Sequence, residues 1–214
     1  KTVVPVIFNE GLWGVGTTMY SVFYGRMGDA AVAAMGVCTT INDLVWVAIF
    51  ALMNATAIIV GKALGAGDRE RAYLYAKRMM AGAVAAGVAL GLLVIAVLWP
   101  LVNIFSGLSY PVREKAQFIL MLGALTIWFR AFNTINIVGV LRSGGDTLFS
   151  LCLDVGTLWL VGVTSTGLAA LVFHWPLEWV YACTFLEEAV KMAVGIPHFK
   201  KKQWMNVLTE QPQG

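Results

Sequence analysis

Charged side chains are scarce in this sequence: Asp, Glu, Lys and Arg make up 13% of it, against roughly 25% in an average globular domain. So few cannot cover a water-facing surface, and a soluble domain is excluded. Cysteine is scarce as well. Cys38, Cys152 and Cys183 lie apart inside apolar stretches with no CxxC spacing, which excludes a disulfide scaffold and leaves packing as their role. Histidine is limited to His174 and His198. They fall at opposite membrane faces, and neither has a metal-ligand companion at useful spacing. A GxSxG nucleophile motif is missing, and the glycine-rich stretch at Gly61–Ala72 lacks the GKS or GKT of a phosphate-cradling loop. The residues therefore argue against an enzyme, and no cofactor is expected. The net charge of +3 comes from short basic clusters between apolar stretches. That arrangement signals topology and excludes nucleic acid as a partner.

What is abundant is apolar: 59% of the residues are hydrophobic and the mean hydropathy is +0.76. A membrane-crossing helix needs about 20 predominantly apolar residues, and polar punctuation divides the chain into Thr2–Tyr24, Ala34–Leu64, Ala72–Trp99, Val112–Leu141, Thr147–Phe173 and Leu177–Ile196. Backbone groups in lipid must be bonded internally, and the ten-residue alternation of barrel strands is missing. The sequence predicts an all-α polytopic membrane protein of six transmembrane helices, a bundle over residues 1–199 followed by a basic tail at 200–214. It begins at Lys1 without a methionine or a signal-peptide pattern and is expected to be part of a longer protein.

Loop charge predicts orientation, because cytoplasmic loops are enriched in Lys and Arg. Lys1, Lys62, Arg69, Arg71, Lys77, Arg78, Arg142 and Lys200 to Lys202 fall on one side, ten in all, against Arg26, Arg113 and Lys115 on the other. Both termini are thus expected in the cytoplasm. In the loop Gly61–Ala72, glycines end one helix and Asp68 caps the next.

Ionisable residues within spans are functional candidates by default. Glu10 follows Pro5 and Asn9 in the first span; the proline loosens the helix, and the carboxylate offers a proton acceptor or a hard oxygen ligand for a cation. Its plainer role is a helix-end carboxylate reaching the interface. Arg130, Asn133 and Asn136 are spaced by threes along one face of the fourth span, where the carboxamides either bind a ligand or join helices. Asp154 in the fifth span either titrates or pairs with Arg130. In the sixth, Glu187 and Lys191 form an i,i+4 pair that neutralises itself, with Glu188 beside them. Trp13, Trp46, Trp128, Phe129, Trp159 and Phe173 are candidates for stacking on flat organic cations or for interfacial and core roles.

The string Val140-Leu141-Arg142-Ser143-Gly144-Gly145-Asp146-Thr147, with the Gly61–Ala72 loop, resembles the multidrug and toxic compound extrusion (MATE) family. The resemblance runs through Pro5, Asn9 and Glu10, Arg26-Met27-Gly28, Ala33-Ala34, Trp159 and the tail ending in Trp204. That family has two similar six-helix lobes, and this chain resembles the second. The resemblance implies export of drugs and organic cations in exchange for sodium ions or protons, by alternating access at a cell membrane. Glu10 matches the acidic residue of the family's seventh helix, which in many members belongs to the cation site. The aspartate that many members carry in the tenth helix is missing, for the stretch here reads Arg130-Ala131-Phe132-Asn133. Asn133 and Asn136 then supply neutral ligands and Asp154 the charge, with a sodium ion near Glu10 as one possibility and no structural metal. Arg142 and Asp146 match the cytoplasmic turn, in a gating or packing role. Expected partners are membrane lipid, small organic cations, and a missing amino-terminal lobe or a second copy. The alternatives are a six-helix carrier or binding subunit working as a dimer and, less favoured, a membrane-embedded enzyme.

Overall fold

The computed structural model describes residues 3–105, 107 and 109–206. Among them are six long helices: α1 (Val3–Arg26), α2 (Asp29–Gly65), α3 (Arg69–Ile104), α4 (Tyr110–Arg142), α5 (Thr147–Val172) and α6 (Leu177–Lys200). They follow the six apolar segments closely. By length and composition, α2 to α5 are apolar enough to cross a membrane. Helices α1 and α6 are each 24 residues long, about 36 Å of helix at the standard rise, and they carry many of the polar groups of the site.

Two of the turns use one device. At Gly67 and again at Gly145 the backbone takes a positive φ, 77° and 85°, a conformation with little penalty only for glycine. Each time the following amides bond back to the last helical turn: Asp68 N to the Ala63 carbonyl at 3.1 Å, and Asp146 N to Leu141 at 3.0 Å. This is the Schellman ending. An aspartate follows each glycine, and Asp68 accepts from the Arg71 amide at 3.0 Å, capping α3 as expected.

The buried apolar side chains form two clusters at opposite ends of the bundle. One gathers Phe23, Ile41, Ile119, Leu158 and Val180; the other gathers Val60, Ala76, Ile135, Leu141 and Phe199. Where helices press together, small residues make the room. Gly87 and Gly91 of α3 leave space in which a Cβ would meet the backbone of Trp128 and Ala124 in α4.

Several expectations are corrected here. Cys38 and Cys183 are buried, but Cys152 is exposed, so it does not pack as expected. Pro5 sits in the first described turn of α1, and the helix continues through Asn9 and Glu10 without a break. The tail from Lys200 begins as the end of α6 and then packs: Trp204 is 0% exposed, and Asn206 N bonds to the Gly144 carbonyl at 2.9 Å. Residues 207–214 of that tail lie outside the described part.

Candidate functional site

From residue 4 onward, the first half of helix α1 buries no apolar side chain. From residue 4 to residue 20 only Asn9 and Gly16 are buried. What holds this half is polar: Asn9 Nδ2 donates to Asp154 Oδ2 at 3.0 Å, and Arg142 donates to Glu10 Oε1 at 2.7 Å. Trp159 Nε1 adds a bond to the Leu12 carbonyl at 3.2 Å. A helix held by hydrogen bonds and ion pairs, with its apolar residues Ile7, Phe8 and Leu12 exposed, is released more easily than one locked into a core.

The polar partners line a cavity of about 730 Å³ walled by α1, α2, α4, α5 and α6. That volume suits a drug-sized organic molecule. Five carboxylates (Glu10, Asp43, Asp154, Glu187 and Glu188) face three cations (Arg130, Arg142 and Lys191). The excess of two negative charges favours a cationic occupant in a low-dielectric surrounding.

Asp154 on α5 is nearly buried and heavily paired. Lys191 Nζ lies 3.0 Å from its Oδ1, and Arg142 reaches its Oδ2 at 3.6 Å. The expected partner Arg130 is elsewhere, 4.0 Å from Glu188 and with its guanidinium 5.0 Å from the Trp46 ring. The reason is reach: Lys191, one turn beyond Glu187 on α6, meets Asp154 first. The Glu187–Lys191 pair is present at 3.2 Å, but it does not close on itself, since Asp154 shares the ammonium.

Arg142, expected at the turn, belongs to this cluster with a side chain only 13% exposed. Asp146 does remain at the turn, 2.6 Å from the His198 imidazole, whose ring stacks on Phe149. Asn133 reaches the cavity and donates to the Glu188 carbonyl at 2.9 Å and to its carboxylate at 2.7 Å. Asn136 does not reach it. The backbone winds as π-helix over Ile135–Arg142, whose i→i+5 bonds shift the register of side chains, and Asn136 points at Gly195 of α6 instead. Its two polar atoms have no hydrogen-bond partner among the described residues.

Asp43, absent from the residues singled out by sequence, is an acid well inside the apolar α2 that lines the cavity and pairs with no cation among the described residues. The signal was there, since any ionisable residue within a span is a candidate. Of the aromatics, Trp13 and Trp46 line the cavity, while Phe173 is exposed at the end of α5. Among the described residues no three His, Cys, Asp or Glu side chains converge to hold a metal ion. Asn9 Oδ1 and Asn133 Oδ1 are buried without a partner among the described residues, carboxamide oxygens of the kind that hard cations take.

Known structures share this architecture. The chain superimposes on a Vibrio cholerae MATE transporter, VcmN, in an aspartate-to-asparagine mutant form, with TM-score 0.86 and 19% identity, covering 97% of this chain and 47% of that one. A MATE crystallised with MaD5 gives TM-score 0.86 at 15% identity, over 97% of this chain and 47% of that one. A MOP superfamily transporter from Pyrococcus furiosus, described as having a binding pocket of reversed polarity, gives 0.84 at 15% identity, over 94% of this chain and 44% of that one. The chain thus spans about half the length of these structures. No curated protein matches the sequence. The model of the MatE family matches residues 5–163, and the chain belongs to that family.

Proposed function

We propose that this chain is the carboxyl-terminal six-helix lobe of a transporter in the cell membrane that exports organic cations in exchange for sodium ions or protons. The observation that carries the reading is the cavity: about 730 Å³, acidic on balance, and set between the two apolar clusters of the bundle. Transporter sites lie at such a depth, between lobes that rock around them. A second lobe, joined to this one or supplied by another chain, completes the chamber. The open flank supports this, for Glu10, Trp13 and Phe50 line the cavity yet are exposed.

Glu10 is the coupling carboxylate in this reading. Its partner Arg142 also reaches Asp154. A cation that binds Glu10 frees the guanidinium to close on Asp154, and α1 loses one of the bonds that hold its first half. The ion thereby binds the two access states with different affinity, which is the requirement for driving a conformational change.

The test is efflux of a fluorescent cationic dye from cells or vesicles, under separate sodium and proton gradients, for this chain alone and joined to an amino-terminal lobe. Gradient-driven efflux only from the joined form supports a half-transporter; efflux from the chain alone means that six helices suffice as a dimer. Glu10→Gln is expected to remove coupled efflux while the protein still inserts, because the exposed carboxylate supports no apolar packing. An unchanged rate in that variant would sink the assignment.

A further inference from the structure

We propose that the Lys191 ammonium is the resident occupant of a cation seat made by Asp154 and Glu187, that it bars sodium from this seat, and that its removal creates a sodium site. The inference rests on the export reading only for what the seat is used for; the binding itself stands on geometry.

Lys191 is 5% exposed, and its Nζ lies 3.0 Å from Asp154 Oδ1 and 3.2 Å from Glu187 Oε1. Each carboxylate is held from behind by its other oxygen. Asp154 Oδ2 accepts from Asn9 Nδ2 at 3.0 Å, and Glu187 Oε2 accepts from the Tyr20 hydroxyl at 2.6 Å. Both holding groups are on α1, so the two remaining oxygens are aimed at one point from fixed positions. Room for this comes from the backbone: a Cβ on Gly162, in the π-wound part of α5, would collide with Glu187 Oε2 and the Tyr20 hydroxyl. Beside Asp154 the Asn9 Oδ1 is buried and has no partner among the described residues, a further oxygen of the kind that hard cations take.

Charge decides what fills the seat. The groups facing it are Asp154 from α5, Glu187 and Glu188 from α6, Glu10 from α1, and Arg142 and Arg130 from α4. Arg142 is shared between Glu10 and Asp154, and Arg130 stands off at 4.0 Å from Glu188. Without Lys191 the Asp154 and Glu187 carboxylates share at most part of one guanidinium, and an uncompensated buried charge is strongly unfavourable. With it, an incoming sodium ion must displace a tethered cation whose effective concentration is at least millimolar, and must then leave that ammonium buried and unpaired.

The experiment uses the purified chain in detergent and follows thermal unfolding as sodium chloride replaces N-methylglucamine chloride at constant ionic strength and pH. In a Glu10→Gln background, which removes the coupling carboxylate and any sodium it binds, the chain that keeps Lys191 is expected to show a flat midpoint, and so is Lys191→Arg. Lys191→Ala in the same background is expected to gain about 5–11 °C at saturating sodium, the size of shift that a site filled to about a hundred times its Kd gives a chain of this length. Where K191A alone does not fold, the charge-balanced E187Q/K191A variant replaces it, with the same sign and a weaker sodium midpoint. A Lys191-bearing chain that sodium stabilises in the Glu10→Gln background, or an alanine variant there that sodium leaves unchanged, overturns the proposal. No transport is needed for this readout, so failure of the export reading and failure of the seat are separable.

Discussion

Asn133 and Asn136 show how much one helical step matters. Asn133 donates to two oxygens of Glu188 at 2.9 and 2.7 Å, whereas Asn136, equally buried, has no hydrogen-bond partner for its side chain among the described residues. Losing a charge-assisted hydrogen bond costs about 1.5–3 kcal/mol, while deleting a buried group that is already unsatisfied is close to neutral. Asn133→Ala is therefore expected to lower the thermal midpoint clearly and Asn136→Ala by less than half as much. Equal effects would mean that Asn136 has a partner after all. Asp43 makes the complementary case for function. An unpaired acid beside Trp46 on the cavity wall offers charge and an aromatic face together. Asp43→Asn is expected to raise the half-saturating concentration of a cationic dye about tenfold, one lost interaction of roughly 1.4 kcal/mol, while leaving folding intact. A dye affinity that does not move would remove Asp43 from the binding wall.

Helices set the next scale, and α3 depends on its small residues. Gly87 and Gly91 stand one turn apart on the face that meets α4, and a Cβ at Gly87 would run into the Trp128 backbone. Gly82 has open space at the same test. Gly87→Ala should destabilise by about 1–3 kcal/mol through overpacking, and Gly82→Ala should be neutral or slightly stabilising because alanine is the better helix former. Thermal unfolding of the two variants in one detergent checks both. The helices themselves were legible in the sequence, since runs such as Ala34–Leu64 are too apolar for anything but a membrane-crossing helix, and Gly67-Asp68 carries its own turn chemistry. The site was legible only in part. Glu10 and Asp154 stand out because charge in lipid is costly, but their partners come from other helices, and spacing along one helix cannot say that Lys191 reaches Asp154 before Arg130 does. The π-wound stretches at Ile135–Arg142 and Leu158–Val163 leave no composition signal. They are the reason that Asn136 turns away from the cavity and that Gly162 gives Glu187 its place.

At the scale of the whole molecule, the two apolar clusters put a direction on the bundle. The cluster that holds Val60, Ala76, Leu141 and Phe199 lies at the end where the Gly67 and Gly145 turns and the Trp204 segment meet. That end also collects the clustered basic residues Lys62, Arg69, Arg71, Lys77 and Arg78, while Arg113 and Lys115 mark the other. Lys and Arg are retained on the cytoplasmic side when membranes are assembled, so the Gly67 end should face the cytoplasm. Arg71 and Glu114 are both exposed and lie at opposite ends of the bundle, which makes them suitable probes. In a background with Cys38, Cys152 and Cys183 replaced by serine or alanine, Glu114→Cys is expected to react with an impermeant maleimide on intact cells. Arg71→Cys is expected to react only after permeabilisation. The reverse pattern would turn the lobe over in the membrane, place the first half of α1 and the Glu10–Arg142 pair at the outer face, and make the release of that pair an event of outward rather than inward opening.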